Sequence, residues 1–326
     1  MIQKIAVCCA EGFDPYTNLA LEKYLLDSVS EDQCILYLWQ NQNTVVIGKN
    51  QNAWAECRVA NLEGDGGKLA RRLSGGGAVF HDLGNLNFTF LVPDQLYDLD
   101  KQLAVIQRAC LLAGIATEKS GRNDLLAQGK KFSGNAFYHA GGKAYHHGTI
   151  LIDVDTQKLQ KYLSPPKAKL EAKGVSSVRS RVINLKDLMP SLTCQQMKAY
   201  LIEAFAQVYA LTPTMLCPPS PEQLAQTRQE YASWEYLFGK PLPFTTECQA
   251  HFPWGHIHLQ LEIQSGIITG ANVYSDAMDW SLPEAIRTGL TGCRFDPAAL
   301  HNALEAAVTD TQIRQDLCTL LLQQTL

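Results

Sequence analysis

The sequence predicts a two-domain protein built of interleaved strands and helices, and three observations carry that reading. At 326 residues the chain is long enough for one large domain and a small one. Short β-branched and aromatic runs recur between stretches of helical periodicity from end to end. A boundary falls at Pro241 and Pro243, and the last eighty or so residues carry strand patterns followed by helix patterns, as a small α/β domain would.

Taken in order, Ile5 to Cys9 reads as a strand, and Asp14-Pro15 opens a helix from about Tyr16 to Val29 with Leu19, Leu25 and Leu26 facing a core. The runs Ile35 to Trp39 and Thr44 to Ile47, separated by Asn-Gln-Asn, are expected to pair as a hairpin ending at Gly48. A helix is expected over Ala53 to Leu62, then strands around Leu69 to Leu73, Ala78 to His81 and Leu86 to Val92. In the last of these Leu86, Phe88 and Phe90 share one face and Asn87 and Thr89 the other. Asp98 to Ala113 has helical spacing, with Leu103, Ile106, Cys110 and Leu111 on the core side and Gly114 as its cap. Strands are expected through Ala136 to His139 and Ile150 to Val154. The basic stretch from Ser164 to Leu188 reads as a long loop. Thr193 to Gln196 has capping-box form and opens a helix to about Ala210, and a further helix follows a proline-rich link toward Phe238. Beyond the boundary, strands are expected near Ile257 to Ile263 and Ile267 to Val273, then helices near Pro283 to Thr288, near Pro297 to Val308 and at the terminus.

The stretch from Arg71 to Asn87 is the centre of the functional reading. Gly75, Gly76 and Gly77 lack Cβ atoms, so a ligand can approach the backbone and meet its N–H groups, and Arg71 and Arg72 supply forked donors suited to phosphate or carboxylate. The other dense polar patches are Gly121-Arg-Asn-Asp124, Gly129-Lys-Lys-Phe-Ser-Gly134 and His146-His147-Gly148-Thr149. Lys131, beside Asp124 and between glycines, is placed to neutralise a carboxylate and a phosphate together.

Several classes are excluded or disfavoured. A net charge of −4 with 18% charged residues gives no basic excess for nucleic acid, and no run approaches the 18 apolar residues of a membrane span. The ten cysteines are scattered without a Cys-x-x-Cys pair, which fits reduced thiols and a cytoplasmic protein. Neither a phosphate-loop motif nor a Gly-x-Gly-x-x-Gly fingerprint is present, and no Gly-x-Ser-x-Gly elbow surrounds Ser74 or Ser133. His251, His256 and His258 lack further ligands at metal spacing and read as partly exposed strand residues.

Five ordered motifs, residues 71–82, 121–124, 130–134, 146–149 and 177–185, closely resemble bacterial lipoate-protein ligase A. The resemblance extends over Asp14-Pro15 with Asn18 to Ala20, Thr44 to Gly48 and Ser233-Trp234-Glu235, hence essentially the whole chain. It implies an α+β fold: a large mixed-sheet catalytic domain resembling biotin protein ligases (residues 1–245) and a small C-terminal accessory α/β domain (246–326). The implied activity is ligation of lipoate, with ATP and Mg²⁺, through lipoyl-adenylate and pyrophosphate, to a lysine of a lipoyl domain. The implied partners are the lipoyl domains of 2-oxoacid dehydrogenases and the glycine cleavage H protein, with octanoate a second acid. No nucleic acid or membrane partner is implied.

Carried over residue by residue, the resemblance makes Lys131 catalytic and gives ATP Arg72, Gly77, Ala78, Val79, Phe80 and Lys131. Lipoate receives Lys131, Arg72, Ser74, Gly75, Gly76, His81, Gly134, His147 and Gly148. Asn123 and Asp124 are candidates for Mg²⁺ or adenylate, with Asp124 the metal ligand. Arg179 and Arg181 belong to a loop covering the adenylate. Strand faces around Phe80, Phe88 and Phe90 are expected to line the slot for the acyl chain. Two rivals stay open: an octanoyl or lipoyl transferase of the same fold that uses a cysteine thioester without ATP, and a non-catalytic binder of lipoate or nucleotide.

Overall fold

The computed structural model describes residues 1–121, 124–163, 182–239 and 245–322. Asn123, Arg179, Arg181, Pro241, Pro243 and most of the basic loop lie outside them. The large unit is an eight-stranded sheet in the order β11-β1-β2-β6-β10-β9-β8-β7. Its strands are β1 (Lys4–Cys9), β2 (Gln33–Trp39), β6 (Asn85–Pro93), β7 (Glu118–Ser120), β8 (Asp124–Ala127), β9 (Lys130–Ala140), β10 (Lys143–Leu151) and β11 (Thr214–Met215). β1 runs parallel to β2 and β11, and the other pairings are antiparallel, so the sheet is mixed.

Alternation along the central strands sends side chains to two different cores. Leu36, Leu38, Leu86, Phe88, Phe90 and Val92 pack under helices Leu99–Leu112 and Cys194–Tyr209. Tyr37, Trp39, Leu91 and Tyr145 point to the other face, where helix α1 (Pro15–Ser28) and helix Pro221–Tyr231 lie. Asp14 caps α1 by accepting from the Thr17 N–H, with Pro15 in the first turn, and the predicted Thr193–Gln196 capping box is present. Leu111 departs from the expected stripe: it is more than half exposed, on the solvent side of its helix.

The Ile35–Trp39 and Thr44–Ile47 runs do not form a hairpin. β2 joins the large sheet, whereas β3 (Thr44–Ile47) starts a separate sheet with β4 (Lys68–Arg71) and β5 (Val79–His81) in the order β4-β3-β5. Buried on both sides, each run found its own partners, and the four-residue spacer 40–43 turns between sheets. The helix expected over Ala53 to Leu62 is broken into Ala53–Glu56 and Val59–Gly64. His146 to Thr149 and Lys131 to Gly134, which lie outside the strands expected at Ala136 to His139 and Ile150 to Val154, are strand residues of β10 and β9.

Residues from Thr246 form a sheet of β12 (Thr246–Phe252), β13 (Gly255–Gln264) and β14 (Ile267–Ser275), covered by helices Leu282–Leu290, Pro297–Ala307 and Thr311–Leu322 around their own core. Among the described residues no helix is long and apolar enough to cross a membrane.

Candidate active site

A cavity of about 330 Å³ lies between the α1-facing side of the large sheet and the small sheet. Leu19, Trp39, Asn87, Ala136 and His147 form one wall; Val46, Ala78, Val79 and His81 form the other. The polar face of β6 thus looks into the cavity, through Asn87. Phe88 and Phe90 are buried on the opposite side of the sheet and Phe80 in a third core beneath the small sheet, so none of the three lines the slot. Strand alternation determines which residues share a face, but only the placement of α1 and the small sheet determines which face carries the cavity.

At the open end Lys131 Nζ lies 2.7 Å from Asp124 Oδ1, with both side chains about one third exposed. Antiparallel pairing of β8 with β9, with a register shift at Leu125/Leu126, brings them together. A Cβ on Gly134 would sit 2.9 Å from Lys131 Cε and Nζ, so the absence of a side chain there gives the lysine its channel. Gly148 and Thr149 complete this side.

The glycine-rich turn is held from beneath by Arg72. This buried guanidinium donates to Ser74 Oγ (3.1 Å), Val46 O (3.1 Å), Gly75 O (2.7 Å) and Gly77 O (2.8 Å). Its bonds therefore consume carbonyls of the turn and none of its N–H groups. Arg71 serves another purpose: it donates to the carbonyls of Gly48, Lys49, Gln51, Tyr236 and Leu237 and ties three segments together. Burial pulls both guanidinium groups down to about 10, which leaves them charged at neutral pH.

The C-terminal unit closes the cavity's rim. The Gly76 N–H donates to Ala277 O (3.2 Å), Asp276 and Met278 line the cavity, and Lys49 Nζ stands 3.9 Å over the Trp280 ring. A Cβ on Gly75 would come within 2.3 Å of Ala277 O, so close contact between the units requires glycine there.

His81 is buried, with Nδ1 3.3 Å from Asn41 Nδ2, whose own Oδ1 accepts from Asn18. Nδ1 is therefore the acceptor, and Nε2, which has no hydrogen-bond partner, carries the proton. His146 faces the opposite core, between Gln102 and Asn135. Burial pushes both imidazoles down to about 3, helped in His81 by Arg72 and His147. Since the folded state disfavours protonation, their contribution to stability is complete above the ordinary value of 6.5 and is lost as pH falls toward 3. Urea unfolding should show a loss on the order of 2 kcal/mol per histidine between pH 7 and pH 5, and His146→Gln should reduce that slope.

Residues 14–206 match the family model described as the lipoyl protein ligase A/B catalytic domain, and residues 242–320 match that of the bacterial lipoate protein ligase C-terminus. The chain is 40% identical to lipoate-protein ligase A of Blochmanniella pennsylvanica over 298 residues, 88% of each chain. The chain belongs to the lipoate-protein ligase A family. Among solved structures, the P. falciparum LipL1 in complex with lipoate is similar over 97% of this chain and 98% of that one, with a TM-score of 0.84 at 27% identity. A bi-partite lipoate protein ligase from Thermoplasma acidophilum shares the fold at 24% identity, over 76% of this chain and 100% of that one, with a TM-score of 0.62.

In this ligase the structure gathers Arg72, Gly76, Gly77, Ala78, Val79, His81, Asp124, Lys131, Gly134, His147 and Gly148 around one cavity. Ser74, Gly75 and Phe80 lie outside its lining: Ser74 is buried behind Arg72, Gly75 faces Ala277, and Phe80 packs on Tyr162. Sequence reasoning missed Trp39, Asn87 and Glu22. The last had a signal, since Leu19, Glu22 and Leu26 share one helical stripe, and an acidic residue on an apolar stripe demands a buried partner.

Proposed function

We propose that the ligase joins lipoate to a lysine of lipoyl-domain proteins in two steps. A lipoate carboxylate oxygen attacks the α-phosphorus of ATP, giving lipoyl-AMP and pyrophosphate. The acceptor amine then attacks the acyl carbon, AMP leaves, and the nitrogen loses a proton. Residues 1–245 would carry both steps, with 246–326 accessory. The acceptors would be the lipoyl domains of 2-oxoacid dehydrogenases and the glycine cleavage H protein, with octanoate as a second acid and a cytoplasmic setting.

The observation that carries this reading is Lys131 beside Asp124 in a half-open cavity, together with the glycine turn whose Gly75 and Gly77 carbonyls Arg72 already occupies. Adenylation brings two anions together, and preorganised cations and N–H donors at the meeting point favour that encounter and the charge of its transition state. The apolar wall residues Leu19, Trp39, Val46, Ala78 and Val79 suit an acyl chain. The lipoate complex of the P. falciparum relative supports lipoate as the acid.

Mg²⁺ binds through one or two carboxylates plus substrate phosphates. Asp124 and Asp276 supply carboxylates to the cavity, and among the described residues no group of three ligating side chains could hold a resident ion. These residues therefore fit an ion arriving with the nucleotide, where it would neutralise phosphate charge.

A cysteine-dependent transferase is disfavoured because, among the described residues, no cysteine lines the cavity. Burial pushes the Cys8, Cys34, Cys57 and Cys110 thiols up to about 12, away from the thiolate a nucleophile needs. Lipoate-dependent exchange of pyrophosphate into ATP tests the reading. Exchange that survives alkylation of the accessible thiols is expected; absence of exchange would leave the transferase or a mere binder.

A further inference from the structure

We propose that Glu22, which does not touch the cavity, is a positioning residue for adenylation: through His147 and Ser74 it is the buried counter-charge of Arg72. The inference rests on the adenylation reading for its kinetic effect and on geometry for the link itself. Glu22 projects from α1 and is 2% exposed. Its Oε1 lies 2.9 Å from His147 Nδ1; His147 Nε2 lies 2.8 Å from Ser74 Oγ; and Arg72 Nε reaches the same oxygen at 3.1 Å. Thr89 Oγ1 donates to Glu22 at 2.7 Å while accepting from Trp39 Nε1 at 3.0 Å.

The chemistry of the two ends gives this chain one direction. A guanidinium can only donate and a carboxylate can only accept. Ser74 Oγ therefore accepts from Arg72, and His147 gives its Nδ1 proton to Glu22; with the imidazole neutral, Ser74 gives its own hydrogen to His147 Nε2. A lone buried carboxylate or guanidinium is costly, and breaking such a pair typically costs more than forming it gains. The link allows both charges to sit in the core, and the carboxylate's own field helps keep Arg72 charged.

Serine, histidine and acid stand in the order of a hydrolytic triad, but the arrangement does not serve a nucleophile. Ser74 is fully buried, and its oxygen is occupied by the Arg72 N–H. The output is instead the orientation of Arg72. With Nε fixed, Nη2 meets both Gly75 O and Gly77 O, and the glycine turn is held through its carbonyls, its Gly76 N–H being given to Ala277 O. Loss of the charge on Glu22 should therefore disturb the turnover step more than the fit of lipoate.

The test uses the full chain and three measurements. In the wild type, ¹⁵N NMR of labelled histidine should show His147 protonated at Nδ1 with Nε2 accepting; a proton on Nε2, alone or on both nitrogens, overturns the link without any variant. In lipoate-dependent pyrophosphate exchange, Glu22→Gln keeps shape and an acceptor oxygen but removes the charge. It should lower kcat roughly 10- to 100-fold with the KM for lipoate changed less than about threefold. Glu22→Asp should recover part of that loss. Unchanged kcat in Glu22→Gln, or equal losses in the Gln and Asp variants, would overturn the positioning role. If the wild type itself shows no exchange, the adenylation reading fails while the NMR measurement still decides the link.

Discussion

Lys131→Ala should reduce lipoate-dependent pyrophosphate exchange by about 100- to 1,000-fold, the usual loss when one preorganised donor to a developing charge is removed. The fold should survive. The lysine side chain is more than one third exposed, its ion pair with Asp124 faces solvent, and pairs of that kind contribute about 0–1 kcal/mol. Its backbone, by contrast, is engaged: β9 pairs with β8 there, and Lys131 O accepts from the Ile183 N–H. An alanine leaves those bonds intact, so the melting temperature should move by no more than a few degrees while exchange is lost. Arginine should not restore activity, because its planar fork does not fit the channel beside Gly134, where even a single added carbon would meet the lysine terminus. Exchange at the wild-type rate in Lys131→Ala would remove Lys131 from the chemistry.

The contrast between Lys131 and Arg72 also shows what the sequence could reveal. Both stand in motifs whose residue types announce an anion site, and that much is local. Their roles in the structure depend on distance along the chain. Lys131 reaches the cavity because β9 joins the sheet beside β10, which pairs with β6; Arg72 reaches Glu22 only because α1 packs across the same face fifty residues away. The hairpin expected at residues 35–47 failed for the same reason, since two apolar runs with a short spacer look alike whether they share a sheet or divide between two. Phe88 and Phe90 were correctly placed on one face of a strand, yet that face turned out to be ordinary core, and the cavity opened on the side of Asn87. Local alternation was legible; the assignment of faces to cavity or core was not, because it is settled by elements that arrive from elsewhere in the chain.

Arg72→Met should be the most damaging single change in the site, because it affects stability and turnover together. Methionine has comparable volume and can fill the space, but it donates nothing to Ser74 Oγ, Val46 O, Gly75 O and Gly77 O. It also leaves Glu22 buried without its cation. Removing one partner of a buried pair costs about 3–5 kcal/mol, and at roughly 2–4 °C per kcal/mol the melting temperature should fall by on the order of 10 °C. Exchange should be lost to a degree comparable with Lys131→Ala. Arg72→Lys separates the two effects: a lysine restores the charge facing Glu22 but cannot span Ser74, Val46 and both glycine carbonyls, so it should regain stability more than activity. Since Arg72 titrates near 10, raising the pH from 6 to 9 should not narrow the gap between wild type and either variant. A melting temperature for Arg72→Met within 2 °C or so of the wild type would mean that neither the four hydrogen bonds of the guanidinium nor its pairing with Glu22 contributes measurably to stability.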